Sequence, residues 1–416
     1  MGERLTLEQA IARAQGNEPL FVAAAAERKA LALERTNAKA TLLPTVTYHN
    51  LAIYTKPNGV PSSRIGQTTD APAPAFIANN AVREYASQGL FDEKIGLAQF
   101  ATIHLADANA ARAAAELEIA RRGLVATVVN LFYGTAGGTQ KVDVAVEAKL
   151  EAEQFLEITQ KREAAREVAH ADVLKAQLQQ QSRERELTEA EAAVSRATVE
   201  LGVLLYPDPG TPYQLQTTEA PLLPGRASIE TLARNNNPEI RSALAGVAVS
   251  QATSAGATAA LFPDLALNFT YGIDATNFGV NGPNGIRNLG YSMSATLDIP
   301  VWNWLSTERS IKAAHLRETA ARTTLSATQR RLLASLSQFY TEAEVASRQL
   351  ASLNTSVVTA REALRLTRLR YLQGESNVLE VVDAQSTLIA AQNAEIDGQL
   401  RYRLALANLQ TLTGTL

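Results

Sequence analysis

The chain has 416 residues, with 39 Lys and Arg against 42 Asp and Glu, a formal net charge of −3, and only 19% charged residues. That balance offers no basic surface for nucleic acid, and the absence of cysteine excludes disulfides, thiolate metal sites and a cysteine nucleophile. No run reaches the roughly 18 to 20 apolar residues of a membrane-crossing helix; alanine-rich stretches carrying Glu, Arg, Gln and Leu read instead as long helices packed side by side.

The N-terminus, Met1-Gly2-Glu3-Arg4-Leu5, has no charged-then-apolar leader. The expectation is a mature form whose signal peptide has been removed, the other possibility being a cytosolic protein. A helical run from about residue 20 ends at Leu42-Leu43-Pro44, and residues 44–55 have the β-branched and aromatic content of a strand. Residues 56–80 are dense in Pro, Gly, Ser, Asn and Asp, a loop composition, and residues 82–91 form a second, weaker strand ending at Phe91. From Asp92 to about Arg166 no proline interrupts a helical pattern that, as one helix, would extend roughly 100 Å at about 1.5 Å per residue. A return helix then runs to a Pro-rich connector, residues 207–227.

The same order follows a second time. Pro19 and Pro238 are 219 residues apart, as are Pro44 and Pro263. Strands are expected at residues 264–274 and 290–299, the second alternating Tyr291, Met293, Ala295, Leu297 and Ile299 on one face with Ser292, Ser294, Thr296 and Asp298 on the other. Trp302 and Trp304 close it. The long helix after it carries Leu350, Leu353, Val357, Ala360, Leu364, Thr367 and Tyr371 at coiled-coil spacing, reverses near Gly374-Glu375-Ser376, and returns through Val381, Ala384, Leu388 and Ala391. The chain therefore divides into repeat 1 (residues 1–206), the connector (207–227) and repeat 2 (228–416), each repeat contributing a helix, two strands and a long helical hairpin.

Four strands with one apolar and one wet face cannot close a barrel alone, since small closed barrels need about eight, and open edges invite further pairing. Two chains would supply eight strands and three would supply 12. Strands of this length and alternation fit an outer-membrane barrel. The competing reading is a soluble coiled-coil scaffold or periplasmic adaptor whose antiparallel sheet caps the helices.

At the second hairpin, Arg370-Tyr371-Leu372-Gln373-Gly374 followed by Val378-Leu379-Glu380-Val381-Val382-Asp383-Ala384-Gln385 resembles the "RYxxG" turn and "LDVxDAQ" return helix of the outer-membrane efflux proteins, the TolC-like channels. The Asn-Pro helix starts, the Leu-Leu-Pro and Leu-Phe-Pro before strands, and the terminal Leu412-Thr413-Gly414 extend the resemblance over the whole chain. It implies an α+β membrane protein: four strands per chain completing a 12-stranded barrel in a homotrimer, with long coiled-coil helices forming a periplasmic α-helical barrel. It also implies an outer-membrane location in contact with lipid, and solute export passed on by an inner-membrane pump through a periplasmic adaptor. The cargo is not legible.

By the same resemblance, Glu380 and Asp383 line a narrow periplasmic entrance, with Asp172 as the weaker counterpart in copy one. Threefold rings of either would repel by about 0.5 to 2 kcal/mol per pair at roughly 8 Å and would attract cations. The bland alternative is that they favour the first turns of a helix through its dipole. The tips, Arg166, Glu167 and Val168 in copy one and Arg370, Gly374, Glu375 and Ser376 in copy two, are where an adaptor would dock. No glycine marks the copy-one turn. Phe91, Trp302 and Trp304 stand where an aromatic belt belongs. His49, His104, His170 and His315 show no paired spacing, and there is no phosphate loop or nucleophile elbow, so neither a metal, a cofactor nor an enzyme is expected.

Overall fold

The computed structural model describes residues 3–55, 83–282 and 285–415. Two sets of six elements follow one another. The first is α1 (Leu7–Asn17), α2 (Pro19–Ala40), β2 (Thr45–Tyr54), β3 (Arg83–Ile95), α3 (Leu97–Ala164) and α4 (His170–Leu205). The second is α5 (Arg226–Asn236), α6 (Pro238–Ala259), β5 (Asp264–Ala275), β6 (Leu289–Asp298), α7 (Ser306–Leu372) and α8 (Val378–Thr413). Corresponding helices have 11 and 11, 22 and 22, 68 and 67, and 36 and 36 residues. Pro19 and Pro238 each open a helix, where their fixed φ suits the first turn and no amide is lost to the hydrogen-bond ladder.

The chain forms two compact units. The first comprises Met1–Arg28, Ala113–Ala243 and Thr324–Leu416, and the second Lys29–Arg112 and Leu244–Thr323. In the first unit, one core gathers Leu5, Ala10 and Ala14 with Leu124, Val128, Phe132, Leu201 and Leu205, packing α1 on α3 and α4. A parallel core gathers Ile229 and Ala233 with Leu332, Leu336, Ala405 and Leu409, packing α5 on α7 and α8. A third, toward the hairpin ends, joins Phe155, Ala176, Val357, Ala360, Leu364, Tyr371, Val378, Val381 and Leu388. The coiled-coil seam read from sequence supplies Val357, Ala360, Leu364 and Tyr371 to it.

The second unit is built on one antiparallel sheet of order β2-β3-β5-β6, so β2 and β6 each keep an open edge among the described residues. One face holds Val46, Tyr48, Phe91, Leu265, Phe269, Tyr271, Tyr291, Met293 and Leu297 in cross-strand register, Phe91 against Phe269 and Tyr271 against Tyr291. It is apolar and uncovered: Tyr291 is 78% and Met293 74% exposed. The other face carries Thr47, Gln88, Asn268, Thr270, Ser292, Ser294 and Thr296.

Several boundaries differ from the sequence expectation. β3 continues to Ile95 rather than stopping at Phe91, because Asp92, Glu93, Lys94 and Ile95 keep their register with Asn268, Leu267, Ala266 and Leu265; cross-strand pairing overrides the low strand preference of the charged residues. The long helix consequently starts at Leu97, not Asp92. β6 ends at Asp298, one residue short of Ile299. The connector is not wholly irregular, since β4 (Tyr213–Leu215) pairs in parallel with β1 (Glu3–Leu5), and α5 begins inside its expected end at Arg226. Three residues are too few to print a period, and the partner lies 210 residues away. The loop expected over residues 56–80 and the strand start at Val82 lie outside the described residues.

Candidate functional site

The candidate site is the pair of hairpin tips in the first unit, where α3 turns into α4 and α7 into α8. Tip two ends α7 with a Schellman motif. Gly374 takes φ 79°, its amide donates to the Tyr371 carbonyl at 3.1 Å, and the Glu375 amide donates to the Arg370 carbonyl at 2.9 Å. Tip one is the same turn with the glycine replaced. Arg166 takes φ 62°, its amide donates to Glu163 at 2.8 Å, and the Glu167 amide donates to Arg162 at 2.9 Å. Arg166 and Gly374 are 208 residues apart, as are Asp172 and Glu380. This locates the turn that no glycine marked.

Of the three expected constriction residues, Glu380 and Asp383 are exposed and Asp172 is partly covered. Glu380 is held from three sides: its amide donates to Asn377 Oδ1 at 3.0 Å, its carboxylate accepts from Ser376 Oγ at 2.9 Å, and Arg370 lies 3.7 Å from it. Asp172 pairs with Lys175 at 3.5 Å. Lys175 occupies the position that Asp383 has in copy two, so one level of the tips is acidic in both copies and the next carries opposite charges. Among the described residues no side chain bonds Asp383.

A residue the sequence reading passed over ties the two tips together. Arg162, in the last turn of α3, stacks on the Tyr371 ring at 4.7 Å, donates to the Tyr371 carbonyl, and pairs with Glu167 at 2.9 Å. The Tyr371 hydroxyl donates to Thr159 at 3.3 Å in the buried core, and its ring meets Phe155 at 5.1 Å. Farther along the return helices, Arg183 of α4 donates to Ser386 of α8 at 2.8 Å. The signal was present in the repeat: Arg162 and Arg370 are also 208 residues apart, each the residue whose carbonyl closes the turn. Behind the tips, hydrogen bonds from Lys161 and Arg365 hold the carboxyls of Glu157 and Glu362 below the usual carboxylate range. His170 bonds Glu163 at 2.7 Å, and no group of His, Asp and Glu among the described residues could hold a metal.

The other expected residues lie in the second unit. Phe91 sits inside β3 with its ring 5.8 Å from Phe269. Trp302 and Trp304 follow β6, 6.1 Å apart edge to face and both exposed. No helix among the described residues is long and apolar enough to cross a membrane.

Residues 231–415 match the family model described as outer membrane efflux protein. The chain is 25% identical over 312 residues to the outer membrane protein OprJ of Pseudomonas aeruginosa, and 29% identical over 274 residues to the pyoverdine export outer membrane protein OpmQ of that species. Those alignments cover 74% and 63% of this chain but only 63% and 54% of the two relatives. Over nearly its full length, 97%, the chain is 22% identical to the outer membrane protein TolC of Vibrio cholerae, covering 89% of it. Among solved structures, the outer membrane protein VceC of Vibrio cholerae superposes with TM-score 0.83 at 18% identity, over 98% of this chain and 96% of that one.

Proposed function

We propose that this chain belongs to the outer membrane efflux protein family, whose model its residues 231–415 match, and that three copies form a passive export duct in the outer membrane. The observation that carries this is the sheet: apolar and exposed on one face, polar on the other and, among the described residues, open at both edges. Antiparallel pairing of β6 with β2 of a neighbouring copy continues the strand alternation, and three copies of a four-stranded sheet make 12 strands with no edge left. The apolar row then faces lipid and the Ser, Thr and Asn row lines water. A scaffold with no membrane to meet has no use for such a face.

The long helical hairpins close in the same trimer into a periplasmic α-helical barrel, whose entrance the return helices narrow. Glu380, Asp383 and Asp172 line that constriction. The turns at Arg166, Glu167 and Val168 and at Arg370, Gly374, Glu375 and Ser376 receive a periplasmic adaptor, which delivers cargo from an inner-membrane pump. The same element order and closely matching helix lengths of the two sets support an internal duplication with boundaries near residues 206 and 228, giving six similar units around one pore.

The test is conductance of the detergent-purified chain in planar bilayers. E380Q/D383N removes two carboxylates per chain at the entrance and lowers the preference for cations over anions. Pores whose selectivity and conductance are unchanged by that pair would remove these residues from the constriction. A chain that runs as a compact monomer without detergent would remove the channel.

A further inference from the structure

The distal end of the sheet, away from the strand ends that lead into α3 and α7, carries a charge pattern that a bare lipid-facing surface does not need. Tyr54 and Arg83 are register partners on the apolar face, with the guanidinium over the ring at 5.8 Å. Tyr85, two residues along on the same face, meets Phe278 at 6.4 Å edge to face. That contact draws the β5–β6 loop to the apolar side of the sheet. Described residues on its two sides bond to one another: Asn281 bridges Arg287, the Gly282 amide donates to Ile286 at 2.7 Å, and the Asn288 amide donates to Val280 at 2.9 Å. The loop presents Phe278 and Ile286 exposed, 70% and 67%, beside Arg287.

On this half of the apolar face and in the loop, the described residues include two arginines and no acid. The acids of this end, Glu84 and Asp274, stand on the opposite, polar face by strand alternation, and Asp274 there accepts from Gln88 at 3.1 Å. No carboxylate among the described residues pairs with Arg83 or Arg287. Two unneutralised guanidinium groups, set at the rim of an apolar band among tyrosine and phenylalanine rings, match an amphiphile with an anionic head and acyl chains. Planar guanidinium groups favour phosphate in particular.

We propose that this rim is a binding site for a phosphorylated lipid of the surrounding leaflet, its phosphate held by Arg83 and Arg287 and its chains lying on Phe278, Ile286 and the band below. The site rests on the outer-membrane reading above. A phosphate alone would use the arginines but not the apolar residues beside them, so the lipid is the ligand that uses both.

Native mass spectrometry of the full chain, purified in a neutral detergent and titrated with diphosphorylated lipid A or its dephosphorylated counterpart, tests this. The phosphorylated lipid binds roughly tenfold more tightly, as two cations near a lipid phosphate surface imply. R83Q/R287Q removes that preference while neutral-lipid binding and melting temperature stay the same; R287Q alone, changing only the loop, removes part of it. Equal affinity for the two lipids overturns the site, as does a preference that survives both variants. Competition by millimolar inorganic phosphate as effective as that by the lipid overturns the lipid as ligand. A chain that conducts in neutral bilayers yet shows no preference sinks the rim site alone, whereas one that inserts into no bilayer sinks the channel reading with it.

Discussion

The two hairpin tips make the same backbone turn from different residues, and the differences fall on every side chain that could stiffen it. Tip two has glycine at the left-handed position, Asn377 capping α8, and Ser376 holding Glu380. Tip one has Arg166 at the left-handed position, Ala169 in the capping place with no side-chain bond, and Val168 where the serine stands. Tip one compensates by leaning on its neighbour through Arg162. The duplicated turn is thus held differently in the two copies: tip two by its glycine, cap and serine, tip one by the His170–Glu163 and Arg162–Glu167 pairs across its own turn and by Arg162 on Tyr371.

The largest break in that comparison is R162A. It removes the charged hydrogen bond to the Tyr371 carbonyl, the stack on the Tyr371 ring and the pair with Glu167. Charged hydrogen bonds contribute about 1.5 to 3 kcal/mol and a partly desolvated cation–π contact about 0.5 to 2. The expected loss is therefore about 3 kcal/mol of local stability, read by hydrogen exchange as a hundredfold drop in protection of tip amides. If the tips border the proposed entrance, the same variant also raises conductance in planar bilayers, because α3 is no longer tied to Tyr371 there. Unchanged exchange at tip one would show that it holds itself after all.

The next pair of substitutions has opposite signs. G374A places a side chain at φ 79°, where the left-handed region costs an L-residue about 1 to 2 kcal/mol. An added Cβ would meet nothing nearer than Arg162 Nη2 at 3.8 Å, ordinary contact, so backbone strain alone sets the loss. R166G relieves the same strain, partly offset by glycine's freedom in the unfolded chain, for a net gain of about 0.5 kcal/mol. Hydrogen exchange at Glu375 and Glu167 measures each. If both variants destabilise, Arg166 contributes through its side chain rather than straining the turn.

The duplication was legible because prolines mark helix starts and strand entries whatever the packing around them. The apolar row of β6 was legible because an uncovered face keeps strict alternation. The first turn was not, because Arg166 occupies a conformation whose signature is glycine; only the 208-residue offset from Gly374 locates it. The end of β3 was hidden because Asp92, Glu93 and Lys94 have poor strand preference, and their pairing with β5 comes from 170 or more residues away. Glu380 and Asp383 could be singled out from a motif, whereas Arg162, which joins the tips, lies within a long run of charged helix residues. Its importance arises from a neighbour 209 residues on, Tyr371, a distance no local pattern reports.

The smallest effect separates a cap from a charge. Asn377 accepts from the Glu380 amide at 3.0 Å, at the third position of α8, and N377A costs about 1 kcal/mol, roughly a fivefold loss of protection in the first turn. The corresponding amide in copy one belongs to Asp172, whose only backbone partner there is the Ala169 carbonyl at 2.9 Å. A169N gives that amide a side-chain acceptor and gains a similar amount. The pair also discriminates between two roles for Glu380. If its carboxylate matters for stability through the helix dipole, E380Q lowers protection of the α8 first turn by a few tenths of a kcal/mol, as exposed dipole interactions do, and leaves pore selectivity alone. If it lines the pore, E380Q shifts cation selectivity while N377A, which leaves the charge in place, does not. A selectivity change in N377A equal to that in E380Q would mean that the cap positions the carboxylate, and the asymmetry of the tips would then reach the conducting path itself.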